Sequence, residues 1–299
     1  MLKFKTLTLG DKDIFLGYFK YHNFKTYEYS FLTLYLWKNY CNVEFRIIRD
    51  VLIIKKNEEK NGSYFMQPMG YAEGSLQDII EELIKIKQND SSVKYLFKDI
   101  EEPFLLQLKE LYGQKLIYFE DTKNFDYIYE TKKLINLTGD KLSKKKNQYN
   151  QFIKRYNYSL KDIHDEAVIE DCLDFSKLWF EVQKNKHKEI IFELEGIRDV
   201  LHHLDLLNAC GMAVYVNNKI AGFTIGEKLN CQMAVIHVEK GDTKYKGIYA
   251  FINKTFAEKY LKNMIYINRE EDLGIAKLKK AKLSYDPLKL EKKYIVNFL

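Results

Sequence analysis

Acids, bases and backbone donors cluster in the second half of the chain, between Gln232 and Tyr285. The stretch from Gln232 to Tyr249 reads as strand, turn and helix. Side chains alternate along a strand, so Val235, His237 and Glu239 are expected on one face. The turn carries Lys244, Lys246 and Gly247, and the helix opens at Ile248 and Tyr249. Free N–H groups and the helix dipole at such an N-terminus favour an anion. A glycine at a strand-to-helix turn also serves as plain scaffold, so this spacing leaves both readings open.

The string Asn268-Arg269-Glu270-Glu271-Asp272-Leu273-Gly274 ends a strand in a burst of charge. Glu271 and Asp272 complement the positive end of a following helix. Asn268 and Arg269 fall at the C-terminal end of the strand, where clefts of open α/β sheets lie. Farther on, Lys277, Lys279, Lys280 and Lys282 crowd the last turns of a helix. Cations suit that end of the dipole, while Lys282 and Tyr285, beside Asp286-Pro287, are placed to face a carboxylate or phosphate. Other chemistries find little support. His202 and His203 point about 100° apart on a helix and do not readily share a metal. His237 is a titratable candidate, with a hydrogen-bonded sheet histidine as the plainer reading. No Ser-His-Asp arrangement and no GxxxxGK[ST] loop is legible, and Cys41, Cys172, Cys210 and Cys231 show no metal spacing, so free thiols and no metal are expected.

These residues need a scaffold. At 299 residues, with 46% hydrophobic residues, the chain suits two domains and a sizeable core. The net charge of +6 gives nucleic-acid contact only a modest lift. No apolar run approaches the ~20 residues of a membrane span, and Met1 to Asp11 lacks the apolar stretch of a signal peptide, so a cytoplasmic location with reduced thiols is expected. Tyr18 to Trp37 reads as mostly helical, and Glu44 to Lys55 as a hairpin around Arg49-Asp50. A helix follows Ser75 as cap, with Leu76, Ile79, Ile80, Leu83 and Ile84 on one stripe. Strands at 95–97, 117–119 and 127–129 flank a helix beginning near Pro103. In the second half, helices at 171–182 and near 197–204 precede a hairpin turning on Asn217-Asn218-Lys219. The strand from Gln232, helices at 248–261 and 273–283, and strands at 264–268 and 294–298 complete the order. Hairpin, strand, helix, strand, helix, strand recurs in both halves, which predicts two similar α/β domains, 1–135 and 136–299. Between them Lys141-Leu142-Ser143-Lys144-Lys145-Lys146-Asn147, followed by Lys154 and Arg155, is either a basic linker or a solvated helix face.

The C-terminal string Val235-Ile236-His237-Val238-Glu239-Lys240, with Gly247-Ile248-Tyr249, Tyr266 to Gly274 and Leu278 to Pro287, resembles the family named for the C-terminal domain of phosphatidylglycerol lysyltransferase. Tyr27 to Trp37, Pro68-Met69-Gly70, Asp126 to Tyr129 and Leu137 to Lys141 extend the resemblance nearly end to end. It implies mixed α/β sheets in two tandem acetyltransferase-like (GNAT) domains, with the site in the second. It also implies an activity, since lipid-modifying relatives move an aminoacyl group from charged tRNA to phosphatidylglycerol. The residues it carries over are Glu239, Arg269, Glu270, Asp272, Lys280, Lys282 and Tyr285. The motif helix usually bears Arg where this chain has Lys279, which loses bidentate geometry. The lipid-modifying relatives also carry a membrane-spanning part that this sequence lacks, which speaks against a lipid acceptor.

The expected function is therefore acyl or aminoacyl transfer. Aminoacyl-tRNA is the first donor and a coenzyme A thioester the alternative, both held near Lys244, Lys246, Gly247, Ile248 and Tyr249. Expected partners are tRNA, through Lys141 to Arg155, and a small-molecule or lipid-headgroup acceptor. No bound cofactor is required. A non-catalytic binding protein of the same fold is the remaining alternative, and oligomeric state is open.

Overall fold

The computed structural model describes residues 3–183 and 190–299. The chain divides into two compact units, Met1–Phe125 with Lys292–Leu299, and Asp126–Glu291. The element order points to one boundary between 135 and 136; the chain changes unit at Phe125/Asp126 instead, and its last strand returns to the first unit. Strand pairing explains both differences, because residues 126–130 and 294–298 hydrogen-bond into different sheets.

The first unit holds a mixed sheet of β1 (Lys5–Thr6), β2 (Glu44–Ile48), β3 (Val51–Glu58), β4 (Gly62–Phe65), β5 (Val93–Ile100) and β6 (Leu116–Glu120). The C-terminal strand Tyr294–Phe298 lies between β5 and β6. The β2–β3 hairpin turns on Arg49 and Asp50, both left-handed at φ 49° and 61°, as a two-residue primed turn requires. The stretch expected to be helical breaks into α1 (Lys12–Phe19) and α2 (Phe31–Leu36). Phe24 and Tyr29 stack between them with centroids 4.0 Å apart. Helix α3 (Leu76–Asn89) buries Leu76, Ile79, Ile80 and Leu83 as its spacing predicts. Ser75 does not cap it: the hydroxyl donates to the Ala72 carbonyl at 2.9 Å. Helix α4 (Glu102–Tyr112) carries Pro103 in its first turn, where a missing N–H costs nothing.

The second unit is built on β7 (Asp126–Glu130), β8 (Tyr158–Asp162), β9 (Cys210–Val216), β10 (Lys219–Lys228), β11 (Met233–Gly241), β12 (Tyr266–Asn268) and β13 (Lys289–Glu291), in the order β13-β7-β12-β11-β10-β9-β8. Its helices are α5 (Thr131–Asn136), α6 (Ser143–Arg155), α7 (Glu166–Gln183), α8 (Ile190–Leu201), α9 (Leu204–Leu207), α10 (Ile248–Tyr260) and α11 (Ala276–Leu283). Helix α10 packs on β9, β10 and β11, with α5 and α6 against it; α7 approaches β10, and α8 packs beside α7. The basic run is thus no linker. It opens α6, inside the second unit, and Phe152 of that helix stacks on Phe251 of α10 at 4.3 Å.

Both β10 and β12 flank β11, and the two pairings differ in length. β11 and β12 are parallel and pair only over Met233–Val235 and Tyr266–Asn268. β11 then runs on to Gly241 paired with β10 alone. The two strands part beyond Val235 and Asn268, at the C-terminal end where open α/β sheets take their ligands.

Phe152 is fully buried and anchors α6 to the core. Truncating it to Ala should cost about 3–5 kcal/mol, as for other buried aromatics. Urea unfolding followed by tyrosine fluorescence measures this; a loss within experimental error of zero would mean that α6 is not held as described.

Candidate active site in the second unit

Simple alternation places His237 and Glu239 on one face of β11, and the structure separates them. Ile225 pairs with Val238 and Gly226 with Ile236, which leaves His237 as an extra residue without a partner on β10. Such a bulge flips the alternation beyond it. His237 therefore bonds Glu227 of β10, while Glu239 turns toward Asn253 of α10.

Glu239 and Arg269 do converge. Arg269 Nη2 donates to Glu239 Oε1 at 2.9 Å, and Asn253 Nδ2 donates to Oε2 at 3.3 Å. Both charged side chains are close to nine-tenths buried. The guanidinium stands over the ring of Tyr285 at 4.5 Å and that of Tyr129 at 5.6 Å. Burial opposes its charge, but Glu239 more than offsets this and holds the Arg269 pKa above its ordinary value. Burial pushes the Tyr285 hydroxyl up. Among the described residues, Arg269 Nη1, Asn253 Oδ1 and Tyr285 Oη are buried without a hydrogen-bond partner. Unsatisfied buried polar atoms are rare and call for an explanation. Lys145 of α6, half-buried, completes the corner with Nζ 4.0 Å from the Tyr285 ring centroid.

The other residues singled out by sequence hold this corner in place or lie outside it. Asn268 donates to Asp126 at 2.6 Å and accepts from the Glu270 amide at 2.7 Å, steadying a loop in which Glu270 and Leu273 are left-handed at φ 58° and 53°. Lys282 does not face the Glu239–Arg269 pair. Its ammonium donates to the carbonyl oxygens of Arg269 and Glu271, clasping the same loop from behind. Burial pushes its pKa down. Asp272 accepts from the Tyr127 hydroxyl at 2.5 Å and the Gly274 amide at 2.8 Å. Glu270 accepts from His237 Nδ1 at 3.0 Å, and Glu227 from Nε2 at 2.9 Å. Burial alone would lower the His237 pKa, but the two carboxylates raise it to about 9; burial raises that of Glu270. Lys280 is exposed.

The helix N-terminus is also more occupied than the sequence pattern implies. Lys244 is exposed and pairs with Asp242 at 2.6 Å, and the Lys246 amide donates to the Tyr156 hydroxyl at 3.1 Å. Ile248 N–H donates to the Tyr245 carbonyl at 3.1 Å. Gly247 sits at φ 93°, and a methyl group there would lie 2.2 Å from the Gln148 carbonyl oxygen of α6. Close packing of α6 thus accounts for the glycine by itself. Tyr249 is partly buried, and burial raises its pKa. Nearby, Lys240 donates to Glu193 of α8 at 2.7 Å beneath the Trp179 ring, at 3.5 Å.

Two mixed α/β units in tandem, the second with a parallel strand pair that parts early and an acid–guanidinium corner beside it, make up a tandem GNAT-like fold. The chain belongs to the family "Phosphatidylglycerol lysyltransferase, C-terminal", whose model matches residues 19–297. It is similar over its whole length, and that of the other chain, to a conserved protein of unknown function from Bacteroides thetaiotaomicron, with 31% identity and a TM-score of 0.91. L-PGS from Bacillus licheniformis shares the fold at 13% identity and TM-score 0.67, covering 99% of this chain and 93% of that one. A tandem GNAT protein from the clavulanic acid biosynthesis pathway shares it at 8% identity and TM-score 0.51, over 99% and 97%. Among the described residues no helix is long and apolar enough to cross a membrane.

His237 supplies the test of the loop's support. Its ring is 1% exposed between two carboxylates. Its folded pKa, about 9, exceeds the ordinary 6.5, so its stabilisation is complete below pH 6.5 and lost as pH rises through about 9. His237→Leu, which strands both acids, should cost about 3–5 kcal/mol near neutrality. The gap between the two melting temperatures should narrow as pH rises through about 9; a gap that does not change with pH would show that no imidazolium is held there.

Proposed function

We propose that this protein is an aminoacyltransferase that takes an aminoacyl ester from tRNA and passes it to an amine or hydroxyl of a small molecule or lipid headgroup. The observation that carries this is the Glu239–Arg269 pair at the mouth of the splayed strands, bonded on one side and with Arg269 Nη1 buried and unpartnered on the other. In this reading the acceptor attacks the ester carbonyl and gives its proton to Glu239. Arg269 Nη1 donates to the oxyanion that forms, in a site dry enough for such a contact to count. The carbon–oxygen bond to the terminal ribose then breaks, and the ribose oxygen leaves with the proton from Glu239. Tyr285 and Tyr129 fix the guanidinium by stacking. Glu270, Asp272 and Lys282 position it through the loop and do not touch substrate.

The donor follows from the helix N-termini and the charge on α6. A coenzyme A pyrophosphate would need the first turn of α10, and α6 already packs against Gly247 there. Lys144, Lys146, Lys154 and Arg155 are all exposed on α6, and basic charge of that kind suits the phosphates of a nucleic acid. This supports tRNA over a thioester.

Labelled aminoacyl-tRNA incubated with the protein and a mixture of small amines and phosphatidylglycerol vesicles should lose its aminoacyl group to an acceptor. Glu239→Gln should slow that loss about 100-fold or more, the usual weight of a general base. Retention of tRNA on a native gel should weaken steeply with salt. Absent transfer with salt-insensitive or absent retention would remove the proposal, and calorimetric heat with acetyl-coenzyme A would replace it with the thioester reading.

A further inference from the structure

One lysine of the basic run departs from its neighbours. Lys144 and Lys146 are exposed, whereas Lys145 is half-buried. It shares a stripe of α6 with Leu142 and Phe152, both fully buried, at spacings of three and seven residues. Packing of that stripe therefore fixes where the amine goes. It lies over Tyr285, the ring that also carries Arg269.

The charges around it do not balance. Lys144 faces it from its own helix, Glu239 from β11 and Arg269 from the loop after β12. Glu239 is already bonded to Arg269 and Asn253, and Lys145 has no carboxylate partner among the described residues. Two cations thus share one carboxylate in a largely desolvated corner, an arrangement that is costly unless an anion joins it. The donors left over are Lys145 Nζ, Arg269 Nη1 and the Tyr285 hydroxyl, the last two buried without partners. They come from three separate segments of the chain and are grouped around the Tyr285 ring.

We propose that Lys145, Tyr285 and the second N–H of Arg269 Nη1, the one not aimed at the oxyanion, form a receptor for a phosphate group of the substrate. Its role in the reaction rests on the transferase reading, but its existence does not. Donors converging from three directions suit a tetrahedral oxyanion, whereas a planar carboxylate is matched best by a two-pronged guanidinium. Lysine serves such a site as a point charge. Burial, and then Arg269, push the Lys145 pKa down to about 8. The receptor is therefore charged at neutral pH and loses the lysine's charge as pH rises through that value.

Calorimetry with inorganic sulfate tests this, because sulfate keeps its charge throughout the range where the lysine titrates. Wild-type protein should bind it saturably, with affinity falling as pH rises through about 8. Lys145→Met keeps the apolar stem and should weaken binding about tenfold, the scale of one lost charge-assisted contact. Lys145→Arg should keep the affinity and lose its dependence on pH. Lys262→Ala, an exposed lysine beyond the end of α10, should change nothing. Equal binding by wild type and Lys145→Met, or acetate bound as tightly as sulfate, would overturn the phosphate receptor. Sulfate binding of the expected kind in a protein that moves no acyl group would keep the receptor and remove the transferase reading; transfer with sulfate binding indifferent to Lys145 would do the reverse.

Discussion

A buried guanidinium must meet a carboxylate, and in this protein the meeting depends on one extra residue in β11. Without the bulge at His237, Glu239 would point away from α10, and Arg269 would stand desolvated and alone. With it, Glu239 lies between Arg269 and Asn253 at 2.9 and 3.3 Å. The rest of the corner follows. The loop after β12 is clasped by Lys282 and capped by Asp272 so that Arg269 leaves the strand toward Glu239, and α6 and Tyr285 close over the pair. His237, displaced to the other face, ties Glu270 to Glu227 and so fastens the same loop from the opposite side.

The first unit shows what the same topology does when the chain itself occupies the space beyond the parallel pair. β4 and β5 are also parallel and pair at Ser63–Val93 and Phe65–Phe97. Beyond them, Glu101 accepts from the amides of Lys25 and Thr26 at 2.7 and 2.8 Å, and Tyr29 donates to the Asp99 carbonyl at 2.9 Å. Lys56 pairs with Asp99 at 3.1 Å, Lys98 with Glu58 at 3.2 Å, and the fully buried Lys293 with Glu28. Cations and carboxylates there match one another, and the effect is structural. In the corner of the second unit two cations, Arg269 and Lys145, face the single carboxylate of Glu239. That contrast, rather than the fold the units share, is what supports placing the proposed chemistry in the second unit.

Much of the fold was legible because local rules and tertiary packing agree there. The α3 stripe, the Arg49-Asp50 and Asn217-Asn218 turns, and the strand-turn-helix from β11 into α10 all follow from periodicity and turn residues. Strands β1 and β13 carry too few residues for alternation to register, and β8 buries no apolar face, so its sequence shows no strand period. The unit boundary depends on which sheet residues 126–130 and 294–298 join, a long-range matter. Within the site, Glu239, Arg269 and Tyr285 were readable as chemistry, but their partners were misjudged. A bulge leaves no mark in a two-residue period, so His237 and Glu239 read as neighbours. Lys282 read as facing a carboxylate or phosphate because its position near the helix end suits an anion, whereas its ammonium goes to two backbone carbonyls. Lys145 and Asn253 did leave a signal. Each is a polar residue on an apolar stripe, Lys145 with Leu142 and Phe152, Asn253 with Ala250, Phe256 and Ala257, all of them buried.

The proposed transfer requires the donor's reactive end to sit between the diverging ends of β11 and β12, against Arg269. A crystal structure with a stable aminoacyl-adenosine amide tests it most directly. The account predicts the amide carbonyl within hydrogen-bonding reach of Arg269 Nη1, beside the free edge of β11 before Gly241. The analogue seated in another part of the molecule, with the Glu239–Arg269 corner untouched, would contradict it.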